Sequence, residues 1–179
     1  MRILNSNGLT RPFSISIIIL ALALVASYAL VSARSKFAAA DEEAAIRAVI
    51  TQHAAAHETG DLAAIEKLWV QDDTATVAEG GSFNYGWTDF RDHHLRPELE
   101  AMENIKFPIE DIKIHVKGDL AWVTYSYRMS GKYKGSLLLT AGAATMVLEK
   151  RGGAWLIVHE HTSTKRRPPA APAAKPEQK

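Results

Sequence analysis

Hydrophobic residues recur along this 179-residue chain with a helical period before Ile105 and a period of two after it. Asp41-Glu-Glu43 is the acidic start that a helix N-terminus prefers. Ile46, Val49, Ile50, His53 and His57 follow at helical spacing, which predicts an amphipathic helix over about 41–59. Gly60 ends it, and Asp61 caps a second, short helix whose apolar stripe is Leu62, Ile65, Leu68 and Trp69. Asp72-Asp73 turn the chain, Thr74–Ala78 reads as a short strand, and Gly80-Gly81 with Gly86 bracket a hairpin or loop holding Phe83 and Tyr85. A third helix is predicted over about 88–103, with Thr88 as its cap. Pro97 falls inside it and must kink or interrupt it, because proline has no amide hydrogen to donate.

Four strands complete the pattern. Ile105, Phe107 and Ile109 alternate, then the phase slips to Ile112, Ile114 and Val116, which predicts a β-bulge near Glu110-Asp111. Gly118-Asp119 turns the chain into Leu120–Ser130, a Gly131–Gly135 turn leads to Ser136–Arg151, and Gly152-Gly153 make the last hairpin. Helices first and an antiparallel meander afterwards predict an α+β domain.

The final strand carries the most chemistry. Alternation puts Trp155, Ile157, His159, His161 and Ser163 on one face and Leu156, Val158, Glu160 and Thr162 on the other. Two imidazoles on one side and a lone carboxylate among apolar neighbours on the other read either as an assembly surface backed by a pocket or as a site in its own right. The Trp155 face holds too much apolar area for a monomer to leave bare, so a homodimer through that face is expected. Burial of Glu160 would raise its pKa unless it is paired, and Arg128 is the expected partner.

Composition adds compartment and excludes classes of partner. Residues 1–40 hold four basic residues and no acid, and an uninterrupted neutral run extends from Ser14 to Ala33. That is the build of a secretory signal, with small residues at Val31-Ser-Ala33 and Ala38-Ala-Ala40 for cleavage after Ala33 or Ala40. The alternative is an uncleaved anchor over 14–33, the only membrane contact the sequence suggests. Either way the folded part, over 41–164, is expected outside the cytoplasm. There is no cysteine, which excludes a lipoprotein anchor and disulfides alike. Residues 41–164 carry 12 basic against 19 acidic residues, a net of −7, which argues against nucleic-acid binding. The tail 165–179 is basic, rich in Pro and Ala, and too poor in large apolar groups to fold.

Several features, in this order and spacing, resemble the nuclear transport factor 2-like superfamily, in particular the SnoaL-like proteins and the association (hub) domain of calcium/calmodulin-dependent protein kinase II. They are Gly60-Asp61, Gly86 with Asp89-Phe90, Gly118-Asp119, Thr145-Met-Val147, and Gly153-Ala-Trp155 leading to His159-Glu-His161-Thr-Ser163. The resemblance implies a cone-shaped domain in which a curved sheet wraps the long first helix around a deep pocket, usually as a dimer. His53 matches the position where ketosteroid isomerases of that superfamily keep an oxyanion-stabilising tyrosine, and Glu79 falls near their general base. Histidine stands for tyrosine, glutamate for aspartate, and one residue is added between them. Arg128 matches one of three pocket arginines of the hub, while Met146 and Thr162 stand where the other two would be. With one cation kept and an acid added at Glu160, the implied ligand is neutral or cationic rather than a carboxylate.

The candidate catalytic set is therefore Glu79, His53 and Glu160. Arg128, Tyr127, His94, Thr162 and Trp69 are the candidate ligand contacts. Of Asp92-His-His94, His94 falls on the inward side of the third helix and His93 on the outer. Adjacent histidines on a helix diverge, and no cysteine or helical H-E-x-x-H is present, so neither a metal nor another cofactor is called for. Two functions fit: a pocket for a small organic molecule, with cofactor-free acid–base chemistry of isomerase, dehydratase or cyclase type, or a non-catalytic assembly module.

Overall fold

The computed structural model describes residue 28 and residues 38–165. The expected export segment, except for residues 28 and 38–40, and the tail beyond Lys165 lie outside the described residues. No helix among the described residues is long and apolar enough to cross a membrane.

Helix α1 spans 38–59 and buries Ile46, Ile50, His53 and Ala54 on one side. Asp61 caps α2 (Leu62–Glu66), its carboxylate accepting from the Ala64 amide at 2.9 Å. Strands β1 (Thr76–Glu79) and β2 (Ser82–Tyr85) form a hairpin around Gly80-Gly81. Both glycines have positive φ, as a two-residue turn between twisted strands requires. Helix α3 (Trp87–Phe90) runs through a π-helical segment (Arg91–Leu95) into α4 (Arg96–Ala101). The Arg96 amide reaches back five residues to the Arg91 carbonyl. The proline predicted to disturb this helix thus sits in the first turn of α4, directly after a widened turn.

Five strands follow rather than four. β3 (Met102–Lys106) and β4 (Ile109–Lys117) are separated at Phe107-Pro108, and both pair with β5 (Leu120–Tyr133). The predicted bulge is present: register on β5 shifts between Glu110 and Lys113, with Asp111 at φ 55°. β5 continues to Tyr133, so Gly131 belongs to the strand rather than to the turn before β6 (Ser136–Arg151). β7 (Ala154–Thr164) closes the chain. The sheet runs β2-β1-β7-β6-β5-β3 with β4 also on β5, and it is antiparallel throughout except for β1 against β7. The fold is the expected α+β architecture, a curved, unclosed sheet wrapped over α1.

Alternation decides what faces α1. Ala121, Val123, Tyr125 and Tyr127 of β5 and Ala144, Met146 and Leu148 of β6 are buried, and their neighbours point outward. β7 breaks this rule once. Val147 pairs with His159 and Leu148 with Ile157, so Val158 is an extra residue, a bulge. As a result Trp155 and Ile157, at 4% and 0% exposed, share the buried side with Glu160 instead of opposing it. This corrects the expected dimer face: Trp155 and Ile157 are core of their own subunit, and only His159 and His161 remain on the outer side. A carbonyl–amide exchange between Ile157 and the Leu68–Val70 segment anchors the inner half of β7 (3.0 and 2.8 Å).

Candidate functional site

A cavity of about 270 Å³ opens between α1, the α3–α4 helix and the inner face of the sheet. Its polar lining comes from six elements, with Thr140 from β6. His53 and His57 come from α1, Glu79 from the end of β1, Glu98 from α4, Tyr127 from β5, and Glu160 and Thr162 from β7. Leu95, Phe90, Phe107 and Leu138 supply apolar wall. A wider hollow of about 450 Å³ shares His57 and Met102 with it, but is lined otherwise by rim groups such as Gly60, Arg96 and Asn104. The buried ionisable groups belong to the smaller cavity.

Glu160 is the centre of the site. It is 7% exposed, and its Oε1 accepts a hydrogen bond from the Tyr125 hydroxyl at 2.9 Å. Burial raises its pKa to about 8; the Tyr125 bond opposes that rise, while the charges of Glu79 and Glu98 add to it. Tyr125 is itself pushed well above its usual value, first by burial and then by Glu160, so it keeps its proton and remains the donor. Glu98 rises to about 7 through burial and the neighbouring Glu79 charge. The pocket therefore holds carboxyl groups that exchange protons near neutrality, as acid–base chemistry requires.

At the rim, His94 joins these acids. Its Nε2 lies 3.5 Å from Glu79 and 3.7 Å from Glu98. Asn84 Nδ2 donates to Asp89 Oδ2 at 2.9 Å, which leaves Asn84 Oδ1 to accept from His94 Nδ1 at 2.8 Å. Asp89 also accepts from the Tyr85 amide and faces His93 Nδ1. The β2 strand and the start of the helix are thus locked together, and Nε2 of His94 is turned toward the carboxylates.

His53 is 2% exposed and its Nε2 has no hydrogen-bond partner among the described residues. Burial first, then the adjacent His57, keeps it well below the usual imidazole range, hence neutral. Burial also lowers His57, whose Nδ1 donates to the His53 carbonyl at 2.9 Å. Thr162 Oγ1 is likewise buried without a partner. Tyr127 stands edge-on to Phe107 at 5.5 Å between ring centres. Gly142 is what lets it sit there, because a Cβ on Gly142 would lie 2.7 Å from the Tyr127 hydroxyl and 2.1 Å from the Ser163 carbonyl.

The structure brings together His53, Glu79, Glu160, Tyr127 and Thr162, with His94 at the edge. Two expected contacts fall elsewhere. Arg128 follows Tyr127 directly on β5, so it projects from the opposite face, where it pairs with Glu110. Tyr125 takes the place expected of it beside Glu160. Trp69 is 1% exposed and packs on Trp87 and Phe90 at 5.9 and 5.2 Å, behind the cavity wall rather than in it. Glu98 is the residue the sequence reading missed. It stands four residues after His94, one turn along the same inward helix face, and that spacing was the available signal.

A curved sheet folded over one long helix, with a ligand-sized cavity between them, defines the nuclear transport factor 2-like class of domain. The chain belongs to the SnoaL-like domain family, whose sequence model matches residues 46–166. Among solved structures it is similar to a candidate dehydratase of the nuclear transport factor 2-like family from Streptomyces avermitilis. That likeness has a TM-score of 0.63 and 20% identity, over 69% of this chain and 95% of that one. A candidate ketosteroid isomerase from Shewanella frigidimarina NCIMB 400 is 27% identical at a TM-score of 0.55, over 64% of this chain and 91% of that one. A candidate scytalone dehydratase from Novosphingobium aromaticivorans DSM 12444 is similar at 15% identity and a TM-score of 0.62, over 70% and 85%. No curated protein matches the chain.

Proposed function

We propose that this domain binds a small organic molecule in the Glu160 cavity and performs cofactor-free acid–base chemistry on it, of the isomerase, dehydratase or cyclase type. The observation that carries the reading is the Tyr125–Glu160 pair, a buried carboxyl group held protonated at neutral pH and opening into a cavity of ligand size. Glu160 then serves as the proton donor to a carbonyl or departing hydroxyl oxygen, and Glu79, beside His94, takes a proton from the neighbouring carbon. His53 and Thr162 stand in the cavity wall with buried polar atoms unpartnered among the described residues, and Tyr127 orients the substrate. The isomerase and dehydratase names among the structural neighbours support the same reaction classes.

The reading includes export and self-association. Export rests on the neutral run and small-residue cleavage sites before Asp41. Association rests on the outer sheet face, where Trp122 is 44% exposed, stacks on His115 and stands in line with Val147 and His159 across the strands. His161 is exposed two pairings further along, opposite Thr145. A homodimer through that face replaces the one expected through Trp155.

Native mass spectrometry of protein recovered from its own host tests these elements together. The expected spectrum is a dimer of chains beginning at Arg34 or Asp41, carrying a retained organic molecule, with Trp122→Ala shifting it to monomer. Intact chains from Met1 in the cytosol would overturn export. A bare polypeptide whose cavity also takes up no aromatic probe would overturn the pocket and leave the assembly module as the function.

A further inference from the structure

We infer that the cavity is built for a compact organic cation, an ammonium group on an apolar or aromatic body, received by Glu79, Glu98 and Glu160; this rests on the pocket reading above and specifies its ligand. Among the described residues three carboxyl groups line the cavity and no lysine or arginine does. Neighbouring basic side chains are engaged elsewhere: Arg128 with Glu110, Arg91 and Arg96 with Asp92, and Lys106 with Glu58. His53 and His57 are buried and neutral, so they add hydrogen bonds but no charge. Among the described residues His94 is the one imidazole facing the acids, at 3.5 and 3.7 Å, so three carboxyl groups outnumber it.

An empty cavity of this composition has to keep protons on its acids, and Glu98 and Glu160 do hold theirs to about 7 and about 8. A ligand that brings its own positive charge replaces the proton on Glu98 and gains Coulomb energy at low local dielectric, while Glu160 keeps its proton for donation; an anion meets only repulsion. Independently of charge, His53 Nε2 lies buried and unpartnered in the same wall, an orphan that an occupant's polar group would satisfy. The rings of Phe107 and Tyr127 give an ammonium or its hydrocarbon body a π surface. Ligand atoms of Glu79, His94 and Glu98 also lie within 4.8 Å of one another, close enough to hold a metal ion instead. The organic cation is favoured because Glu160, His53 and the aromatic wall belong to the same cavity but not to that trio, and a bare ion would use none of them.

The test compares probes of one shape and three charges on the purified mature protein at pH 7.5: 2-naphthylmethylammonium, 2-naphthylmethanol and 2-naphthoate, with Zn²⁺ as a fourth. Calorimetry should find the ammonium bound at least about tenfold more tightly than the alcohol, with proton release, and the carboxylate not bound. Glu98→Gln and, separately, Glu79→Gln should each reduce that preference to within about threefold, with circular dichroism and thermal melting reporting that the variants fold. An alcohol bound as tightly as the ammonium would overturn the cation inference and leave the pocket standing. Zn²⁺ binding that Glu79→Gln abolishes, with no preference for the ammonium, would make the trio a metal site and overturn it too. Failure of all three naphthyl probes would overturn the inference and the pocket reading alike.

Discussion

Replacing Glu160 with Gln is expected to stabilise the free protein, by an amount that grows with pH. In the unfolded chain this carboxyl ionises near 4.5, whereas in the folded chain it holds its proton to about 8. Between those values unfolding releases a proton, so rising pH favours the unfolded chain. The wild-type side chain's contribution is complete below about 4.5 and lost by the time pH passes about 8. Glutamine mimics the protonated acid in shape, keeps an oxygen for the Tyr125 hydroxyl and never ionises. Denaturant titrations at pH 5 and pH 7 should therefore find little difference at the first and a gain on the order of 3 kcal/mol for the variant at the second. The buried histidines act in the opposite direction. His53 and His57 have lowered values, so their stabilisation is present above about 6.5 and fades as pH falls. They are the same in both proteins and cancel in the difference. A gain that does not change with pH would mean Glu160 is ionised in the folded state. The same variant should lose about two to four orders of magnitude in turnover of any substrate whose reaction needs the proton.

Trp69→Ala is expected to cost roughly 3–5 kcal/mol, the largest loss from any single truncation near the site. The indole is 1% exposed and wedged among His53, Trp87 and Phe90, at 6.1, 5.9 and 5.2 Å. Its backbone also bridges to Ile157 of β7. Its Nε1 has no partner, so Trp69→Phe removes an unsatisfied donor together with some volume and should cost much less. Urea unfolding of both variants checks the order. Equal and small losses would return Trp69 to the cavity lining where the sequence placed it.

The core of the fold was legible because its signals are local. The helical spacing of Ile46, Ile50 and His53 turned His53 inward, and the slip between Ile109 and Ile112 announced the bulge now seen at Asp111. The bulge at Val158 gave no such warning. Leu156, Ile157 and Val158 are all apolar, so a change of phase inside that run leaves the pattern of hydrophobic and polar positions unaltered. Trp155 was accordingly assigned to the face opposite Glu160. Arg128 was drawn to the pocket as a partner for Glu160 and by resemblance, although strand alternation already barred it from sharing a face with Tyr127. The parallel pairing of β1 with β7, which delivers Glu79 to Glu160, depends on contacts between distant segments and has no sequence signature of its own.

That pairing also orders events in time. Thr76 meets His159 across 83 residues of chain, so β1 has no neighbour on its inner edge until the last strand has been made. A ribosome extending this polypeptide exposes the helices and the first hairpin long before their partner exists, and the cost of closing so long a loop falls on one late step. Completion of the domain therefore waits for β7: the nascent chain stays open until that strand is made, and a chain stopped short of it has neither a continuous sheet nor the carboxyl group at its centre.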